Sequence, residues 1–422
     1  MNRHANVRYK WEEIYWRKLE RSLFKLQKRI YQASKIGDVR KVRHLQKLLV
    51  SSKSAKLLAV KRVTQENSGK KTAGVDGVKS LNLIQRVELY KKLSLKDKCK
   101  PVRRIWIPKL GKPEKRPLGI PTMEDRAKQA LVKMTLEPEW EAKFEPNNYG
   151  FRPGRSCQDA LESIFCAICQ SNVYVLDADI KGCFDNIDHK ALLNKIGTYP
   201  KLRRLIKCWL KVGIMEGDSY YRPKAGTPQG GVISPLLANI ALHGLEYETQ
   251  HTLAYDLKKH LKDVHNRYDP KRAMNMLHVI RYADDFVVMH ENRAIVEKAK
   301  NFIINWLSNI GLKLSETKTK IVHSLTYVDG EKPGFDFLGF SVRQHKDFSR
   351  KSGFITLIKP SRQGQKRHRK YIHDCIRKLL ASTQSEVIKL LNPIVRGWAN
   401  YYKAFVARKA FEHQDHFMFH NL

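Results

Sequence analysis

The chain has 422 residues and a formal net charge of +39, from 80 Lys and Arg against 41 Asp and Glu. A hydrophobic content of 42% excludes an intrinsically disordered protein, and the length predicts two or three domains. The excess of positive charge indicates a polyanionic partner, for which nucleic acid fits best and an anionic membrane surface is the alternative.

Targeting signals and cysteine chemistry give little sign of a secreted or membrane protein. No apolar run is long enough to span a bilayer, and the first six residues carry no apolar signal region. The seven Cys are scattered, which predicts reduced thiols in a cytosol-like compartment. Cys166 and Cys169 follow a helix-capping pattern, and we interpret them as helix core and not as half of a zinc site.

Residues 11–67 are predicted to form a basic helical hairpin. Apolar residues recur every three or four positions from Trp16 to Ile30, with Lys and Arg on the other faces. Gly37 followed by Asp38 marks the end of one helix and the N-cap of the next. We interpret the hairpin as an RNA-facing extension, and a merely solvated basic side is the alternative.

A β-hairpin is predicted over residues 103–121. Residues 103–109 and 115–121 read as strands, and the polar segment between them turns the chain. This hairpin would present Lys109 and Arg116 to one region. Cations on such a flap can hold a triphosphate, and the alternative is that both are ordinary surface cations.

The central part of the chain carries acidic residues at the end of a buried strand. The apolar run 173–179 continues into acidic positions up to Asp185. A tight Gly-rich loop at 226–231 precedes a helix predicted over 236–248. Residues from about 251 to 271 are predicted to form a charged connection whose sequence carries little information.

Two adjacent carboxylates, Asp284 and Asp285, lie between β-prone runs. Successive residues of a straight strand point to opposite faces, so both can serve one site only if the chain turns there. We therefore predict a β-hairpin with both residues at its tip. Clustered carboxylates repel each other, and a divalent cation such as Mg²⁺ would relieve that repulsion. A solvated Asp-Asp turn is the alternative.

The C-terminal part is predicted to be helical and basic. Arg367, Arg369 and Lys370 offer charge for RNA, whereas Tyr401 and Tyr402 could either stack on bases or pack in the core. The His-rich end, 412–420, is predicted to be disordered. The order helices, mixed elements, helices predicts an α+β fold with a central domain between two helical ones.

Several sequence blocks together resemble the reverse transcriptase–maturase proteins of group II introns. Residues 282–285 (Tyr-Ala-Asp-Asp) look like the Y-x-D-D box, 179–185 like the first catalytic block, and 227–231 (Thr-Pro-Gln-Gly-Gly) like the nucleotide-pocket loop. Further matches are 73–77, 116–121, Lys318, 337–340 and 397–402. The blocks follow the family's order over nearly the whole chain.

The resemblance implies a right-hand polymerase fold of fingers, palm and thumb. It divides the chain into a helical N-terminal extension, 1–75, a fingers and palm domain, 76–345, and a helical thumb or maturase domain, 346–422. The chain ends soon after the last motif. We therefore expect a form without the family's endonuclease and leave open a shortened maturase domain.

The resemblance also implies roles for individual residues. The implied catalytic residues are Asp179, Asp284 and Asp285, which together with Ile180 would hold two Mg²⁺ ions. Asp177 shares the strand face of Asp179 but does not match the family's motif, and we interpret Asp185 as a residue that caps or pairs locally.

Ile180 and the remaining implied residues would bind the deoxynucleoside triphosphate. Lys109 and Arg116 would hold the triphosphate, Gln229 would contact the nucleotide, and Lys318 would lie near the palm site. Phe184 would stack under the sugar and exclude a 2′-hydroxyl, with core packing as its alternative role.

The implied function is RNA-directed DNA synthesis on intron RNA from a DNA or RNA primer, together with assistance to splicing. The location would be a bacterial cytoplasm or an organelle, with no membrane partner. Two alternatives remain: a reverse transcriptase recruited to phage defence or CRISPR spacer acquisition, and a non-catalytic RNA chaperone for splicing.

Overall fold

The computed structural model describes residues 10–95, 98–108, 114–267 and 269–422. Its helices are α1 Trp16–Lys35, α2 Val39–Ser51, α3 Lys53–Lys61, α4 Leu83–Lys92, α5 Met123–Glu141, α6 Cys157–Ile168, α7 Cys183–Asn186, α8 His189–Ile196, α9 Pro200–Lys211, α10 Ser234–Leu242, α11 Leu245–Thr252, α12 Ala254–His265, α13 Pro270–Asn275, α14 Arg293–Ser308, α15 Arg362–Lys378, α16 Gln384–Tyr402 and α17 Arg408–Phe419. Its strands are β1 Val102–Pro108, β2 Lys115–Ile120, β3 Tyr174–Asp179, β4 Ile214–Glu216, β5 Ser219–Tyr221, β6 His278–Tyr282, β7 Asp285–His290, β8 Lys320–His323, β9 Phe335–Phe337, β10 Phe340–Lys346 and β11 Phe354–Pro360.

The chain folds as two compact units. The first contains residues 1–145, 181–244 and 306–313, and the second contains 146–180, 245–305 and 314–422. The first unit has one sheet in the order β2-β1-β4-β5, and the second has two sheets, β6-β7-β3-β8 and β11-β10-β9. All paired strands are antiparallel except β1 and β4. This mixture of separate helices and largely antiparallel sheets confirms the α+β class.

The first unit contains the predicted N-terminal helical hairpin. Gly37 adopts φ +77°, a conformation that favours glycine, and the carboxylate of Asp38 accepts a hydrogen bond from the backbone N–H of Lys41 at 2.9 Å. Helix α1 buries Leu23 and Ile30 and packs on α5. Its Lys and Arg residues face solvent. The basic side of α1 is therefore exposed, as its amphipathic pattern predicted.

The second unit is built around strand β3, which lies between β7 and β8. Phe340 on β10 is fully buried, and the rings of Tyr401, Tyr402 and Phe405 lie 4.7–5.3 Å from it. The hydroxyls of Tyr401 and Tyr402 donate to the carbonyl oxygens of residues 338 and 339 at 2.8 and 3.1 Å. These contacts confirm the core interpretation of both tyrosines.

Three predictions about local structure were wrong. Residues 251–271 are not a simple connection, because they contain α12 and the first two residues of α13. Helix α12 forms because Leu257 and Leu261, one turn apart, make a buried stripe. The His-rich end forms α17, which is held by Phe411 against Trp398 at 5.6 Å between ring centroids. Cys166 is exposed, because α6 buries a different stripe of residues.

None of the described helices combines the length and apolar character that crossing a bilayer requires.

Replacing Phe340 with Ala should lower the free energy of unfolding by about 3–5 kcal/mol, because it removes a fully buried aromatic ring from a packed cluster. Phe348 is 90% exposed and provides the matched control, since Phe348→Ala should change stability by less than about 0.5 kcal/mol. Denaturant midpoints of the two variants measure the difference. Equal midpoints would contradict the packing described here.

Candidate active site

The predicted carboxylate hairpin is present in the second unit. Strands β6 and β7 pair with Tyr282 opposite Asp285, so the connection consists of Ala283 and Asp284. Ala283 adopts φ +60°, which turns the chain sharply within two residues. Asp284 therefore lies in the turn and Asp285 is the first residue of the returning strand.

Strand β3 carries the third carboxylate to the same place. The antiparallel register of β3 and β7 puts Asp179 directly opposite Asp285, so their side chains leave the same face of the sheet. Ile180, which is buried, donates its backbone N–H to the carbonyl oxygen of Asp284 at 3.2 Å. Asp179 accepts at its own carbonyl from the N–H of Ser315 at 2.8 Å. The structure thus brings together all four residues predicted to hold metal.

The three carboxylates repel one another when no metal ion neutralises their charge. The pKa of Asp285 is raised to about 7 by burial, then by the negative charge of Asp284 and by its interaction with the Asp179 carboxyl. Burial and like charge both disfavour the ionised form. A bound divalent cation would reverse these effects, because its charge exceeds that of any neighbouring group.

Lys318 supplies the positive charge that the cluster has in this structure. Its ammonium nitrogen lies 2.5 Å from Oδ2 of Asp179, and its side chain is 57% exposed. The hydrogen bond with Asp179 raises the pKa of Lys318. Because the side chain is long and exposed, it can move away from Asp179 without disturbing the sheet.

The donor set fits a hard divalent cation. Carboxylate and carbonyl oxygens are the ligands that Mg²⁺ and related ions prefer. The pKa of Asp285, raised first by burial and then by the neighbouring carboxylates, is of the kind found at functional sites.

Two other acidic residues have different surroundings. Asp177 lies two positions before Asp179 on β3 and opposite Lys320. Burial raises the pKa of Asp177 to about 6, and the charge of Lys320 opposes that shift. Asp185 accepts a hydrogen bond from the amide of Gln229 at 3.0 Å, which gives it a positioning role within the first unit.

A glycine that the sequence did not single out supports the hairpin. A Cβ atom on Gly150 would lie 2.3 Å from the backbone nitrogen of Ala283, so only glycine permits this approach. The neighbouring Tyr149 donates its N–H to the carbonyl oxygen of Arg281 at 2.9 Å, and Arg281 donates to Asn147 at the same distance. The segment before Gly150 therefore flanks β6. A lone glycine in a loop carries no sequence signal for such a contact.

The first unit holds Arg116, Phe184 and Gln229, three of the residues predicted to contact the nucleotide, whereas Ile180 and Lys318 belong to the second unit. The N–H of Thr227 donates to the carbonyl oxygen of Phe184 at 2.6 Å, and Gly119 donates to the carbonyl oxygen of Gln229 at 2.6 Å. Gly226, at φ +86°, packs against the backbone of residues 184 and 185. These bonds bring Phe184, which is half-buried, and Gln229 together beside strand β2.

Arg116 lies on β2 opposite Ile107 of β1, in the predicted hairpin, and is exposed. Lys109, its predicted companion, lies outside the described residues.

Three family models match the chain. Residues 107–342, more than half of the chain, match the reverse transcriptase (RNA-dependent DNA polymerase) model. Residues 11–93 match the N-terminal domain of reverse transcriptase, and 365–422 match the group II intron maturase-specific domain. The first match confirms the right-hand polymerase fold that the sequence blocks predicted.

Individual relatives are similar over long stretches. The group II intron-encoded protein LtrA of Lactococcus lactis is 33% identical over 385 residues, covering 73% of this chain and 62% of that protein. Protein YkfC of Escherichia coli is 31% identical over 304 residues, covering 66% of this chain and 77% of that one. An uncharacterized 91 kDa protein in the cob intron of Schizosaccharomyces pombe is 30% identical, covering 85% and 51%. This chain therefore spans about three fifths of the length of LtrA and about half of the fission yeast protein.

The pKa of Asp285 predicts a pH-dependent stability. The pKa of about 7 lies above the ordinary carboxyl value of 3.8. At a pH between these two values, Asp285 therefore keeps its proton in the folded protein and has lost it in the unfolded chain. Stability is therefore lost as the pH rises through this window. In the presence of a metal chelator, Asp285→Asn should have a higher melting temperature than the wild type at about pH 8. This difference should become smaller towards about pH 4.

Asp347 is the control for this experiment. Hydrogen bonds from Ser349 lower its pKa, so Asp347→Asn should show no gain at alkaline pH. Melting temperatures of the three proteins across the pH range provide the comparison. The raised pKa of Asp285 would be contradicted if the difference in melting temperature between Asp285→Asn and the wild type did not change with pH.

Proposed function

Because the chain belongs to the group II intron reverse transcriptase and maturase family, we propose that it is an RNA-directed DNA polymerase that copies intron RNA. The observation that carries this proposal is the placement of Asp179 opposite Asp285, beside the turn that contains Asp284. Three carboxylates at one end of the two central strands of the sheet are suited to two-metal nucleotidyl transfer.

The proposed metal ligands are Asp179, Asp284 and Asp285 with the carbonyl of Ile180, and the proposed ions are two Mg²⁺. When bound, such ions activate a primer 3′-hydroxyl and stabilise the leaving pyrophosphate. The protein's own contribution is to hold the carboxylates in a fixed array. The exposed ammonium of Lys318 adds positive charge beside Asp179.

The nucleotide-binding residues follow from the same proposal. Arg116 and Lys109 would contact the triphosphate of a deoxynucleotide as cations. Gln229, which is held by its carbonyl to Gly119 and by its amide to Asp185, would contact the incoming nucleotide. Phe184 would lie under the sugar, where a 2′-hydroxyl would collide with its ring.

We also propose a splicing role for the C-terminal part of the chain, supported by the match of residues 365–422 to the maturase-specific domain. The proposed domains are the N-terminal extension 1–75, the fingers and palm 76–345, and the thumb or maturase domain 346–422. The proposed partners are intron RNA and a DNA or RNA primer, in a bacterial cytoplasm or an organelle.

Loss of a single carboxylate should abolish polymerisation. Asp179→Asn or Asp284→Asn should reduce primer extension on an RNA template by about a thousandfold or more, because a metal ligand contributes several kcal/mol to transition-state stabilisation. Asp177→Asn removes the same charge from the same strand and should retain most activity. RNA affinity, measured in parallel, should be unchanged in all three variants. Near-normal synthesis by Asp179→Asn, or equal losses in all three, would refute the assignment.

Sugar selection should depend on Phe184. Phe184→Val should raise the incorporation of ribonucleotides relative to deoxynucleotides by about tenfold or more, which corresponds to about 1.4 kcal/mol. Phe165→Val provides the control, because Phe165 is 40% exposed on α6. Unchanged discrimination together with a lower melting temperature would favour the core-packing role of Phe184.

RNA binding should depend on the basic face of α15. Arg367 and Lys370 are exposed and Arg369 is half-buried on this helix. Replacing all three with Gln should weaken binding to structured RNA and reduce the slope of log affinity against log salt by roughly one per lost phosphate contact.

The control for this variant removes an equal charge elsewhere. Its three positions each have a carboxylate partner within 3 Å: Arg293 with Asp329, Lys298 with Asp256 and Arg408 with Glu412. Replacing these three cations with Gln should change the salt slope less than the α15 variant does. Equal slopes for both triple variants would show that only the net charge matters.

A further inference from the structure

A second group of side chains that can ligate a metal lies in the second unit, at the opposite end of β7 from Asp285. It consists of His260 and His265 on α12 and Glu291, which directly follows β7. Their ligand atoms all lie within 4.8 Å of one another. None of these residues belongs to the sequence blocks that identified the family.

The spacing of the three side chains is close to that of a zinc site. Nε2 of His265 lies 3.1 Å from Oε2 of Glu291, and Nε2 of His260 lies 3.8 Å from the same oxygen. A tetrahedral Zn²⁺ with bonds of about 2.0–2.1 Å keeps its ligand atoms roughly 3.3 Å apart. Small side-chain rotations would therefore bring all three ligand atoms to coordination distance from one ion.

The nitrogen of His260 provides a second observation. The side chain of His260 is only 9% exposed, and its Nε2 atom is buried without a hydrogen-bond partner. A buried polar atom without a partner is costly, and here it is directed towards the carboxylate of Glu291. A metal ion would satisfy it.

Groups next to His260, His265 and Glu291 limit the metal ligands to these three side chains and help to position them. Nδ1 of His290 accepts the backbone N–H of Asn292 at 2.9 Å, which places the proton of that imidazole on Nε2 and excludes His290 as a ligand at that atom. His265 is the last residue of α12, where the negative end of the helix dipole favours a cation. Ser171 also hydrogen-bonds to the carboxylate of Glu291, and such a bond orients a ligand.

We propose that His260, His265 and Glu291 form a binding site for Zn²⁺ that links the C-terminal end of α12 to the end of β7. Two imidazoles and one carboxylate select a borderline metal such as Zn²⁺ over Mg²⁺. Three protein ligands leave one coordination position for water or another small ligand. The site is separate from the proposed polymerase metals and does not depend on their assignment.

The test measures Zn²⁺ bound by the full chain, without an affinity tag, in excess Mg²⁺ so that carboxylate sites remain occupied. Competition with a chromogenic chelator gives the stoichiometry and the Kd. The wild type should bind one Zn²⁺ per chain, and Co²⁺ in its place should show the strong visible absorption of a four-coordinate ion. His265→Gln and Glu291→Gln should each weaken Zn²⁺ binding by at least about tenfold.

A matched control uses another close pair of histidines. The Nε2 atoms of His416 on α17 and of His420, directly after α17, lie 3.0 Å apart and both residues are exposed, so this pair could itself capture a metal. The double variant His416→Gln with His420→Gln should keep the bound Zn²⁺. The proposal is overturned if the wild type binds no Zn²⁺, if His265→Gln and Glu291→Gln keep it, or if only the α17 variant loses it. Melting temperatures of the metal-free proteins distinguish loss of a ligand from loss of the fold.

Discussion

The antiparallel pairing of β3 with β7 places two like charges, Asp179 and Asp285, directly opposite each other. Such a pair opposes the association of its own strands, and burial makes the repulsion stronger. The apolar residues of both strands compensate, since they are buried along nearly the full length of the pair. The sheet therefore stabilises an arrangement of carboxylates that would not assemble without it.

The backbone contacts around the hairpin make this arrangement rigid. Ala283 is held at a positive φ, an unusual conformation for a residue with a Cβ. Gly150 lies against it, and the bond from Ile180 to Asp284 ties the turn to the end of β3. At the proposed metal site such over-determination would be an advantage, because the ligands would need no rearrangement on metal binding. In this structure the exposed Lys318 pairs with Asp179.

The elements that could be predicted from sequence are those with local signals. The hairpin that contains Asp284, strand β3, the helix end at Gly37 and the capped helix that contains Cys166 all follow from short patterns and are present. The predicted assignments of individual site residues rest on motif resemblance. The register that puts Asp179 opposite Asp285 depends on long-range pairing, which no local pattern specifies. Helix α12 was not predicted, although its apolar residues have helical spacing, because many charged residues lie between them. The cluster at His260 and His265 was missed for the same reason.

The central claim is that the carboxylates of β3 and the hairpin hold divalent ions during nucleotidyl transfer. A crystal structure with primer, RNA template, a deoxynucleoside triphosphate and Mn²⁺ in place of Mg²⁺ tests it directly, because Mn²⁺ is located by its anomalous scattering. The account predicts two Mn²⁺ ions bound to carboxylate oxygens of Asp179, Asp284 and Asp285, with Lys318 displaced from Asp179. Mn²⁺ bound elsewhere, with the Lys318–Asp179 pair intact beside an ordered nucleotide, would contradict it.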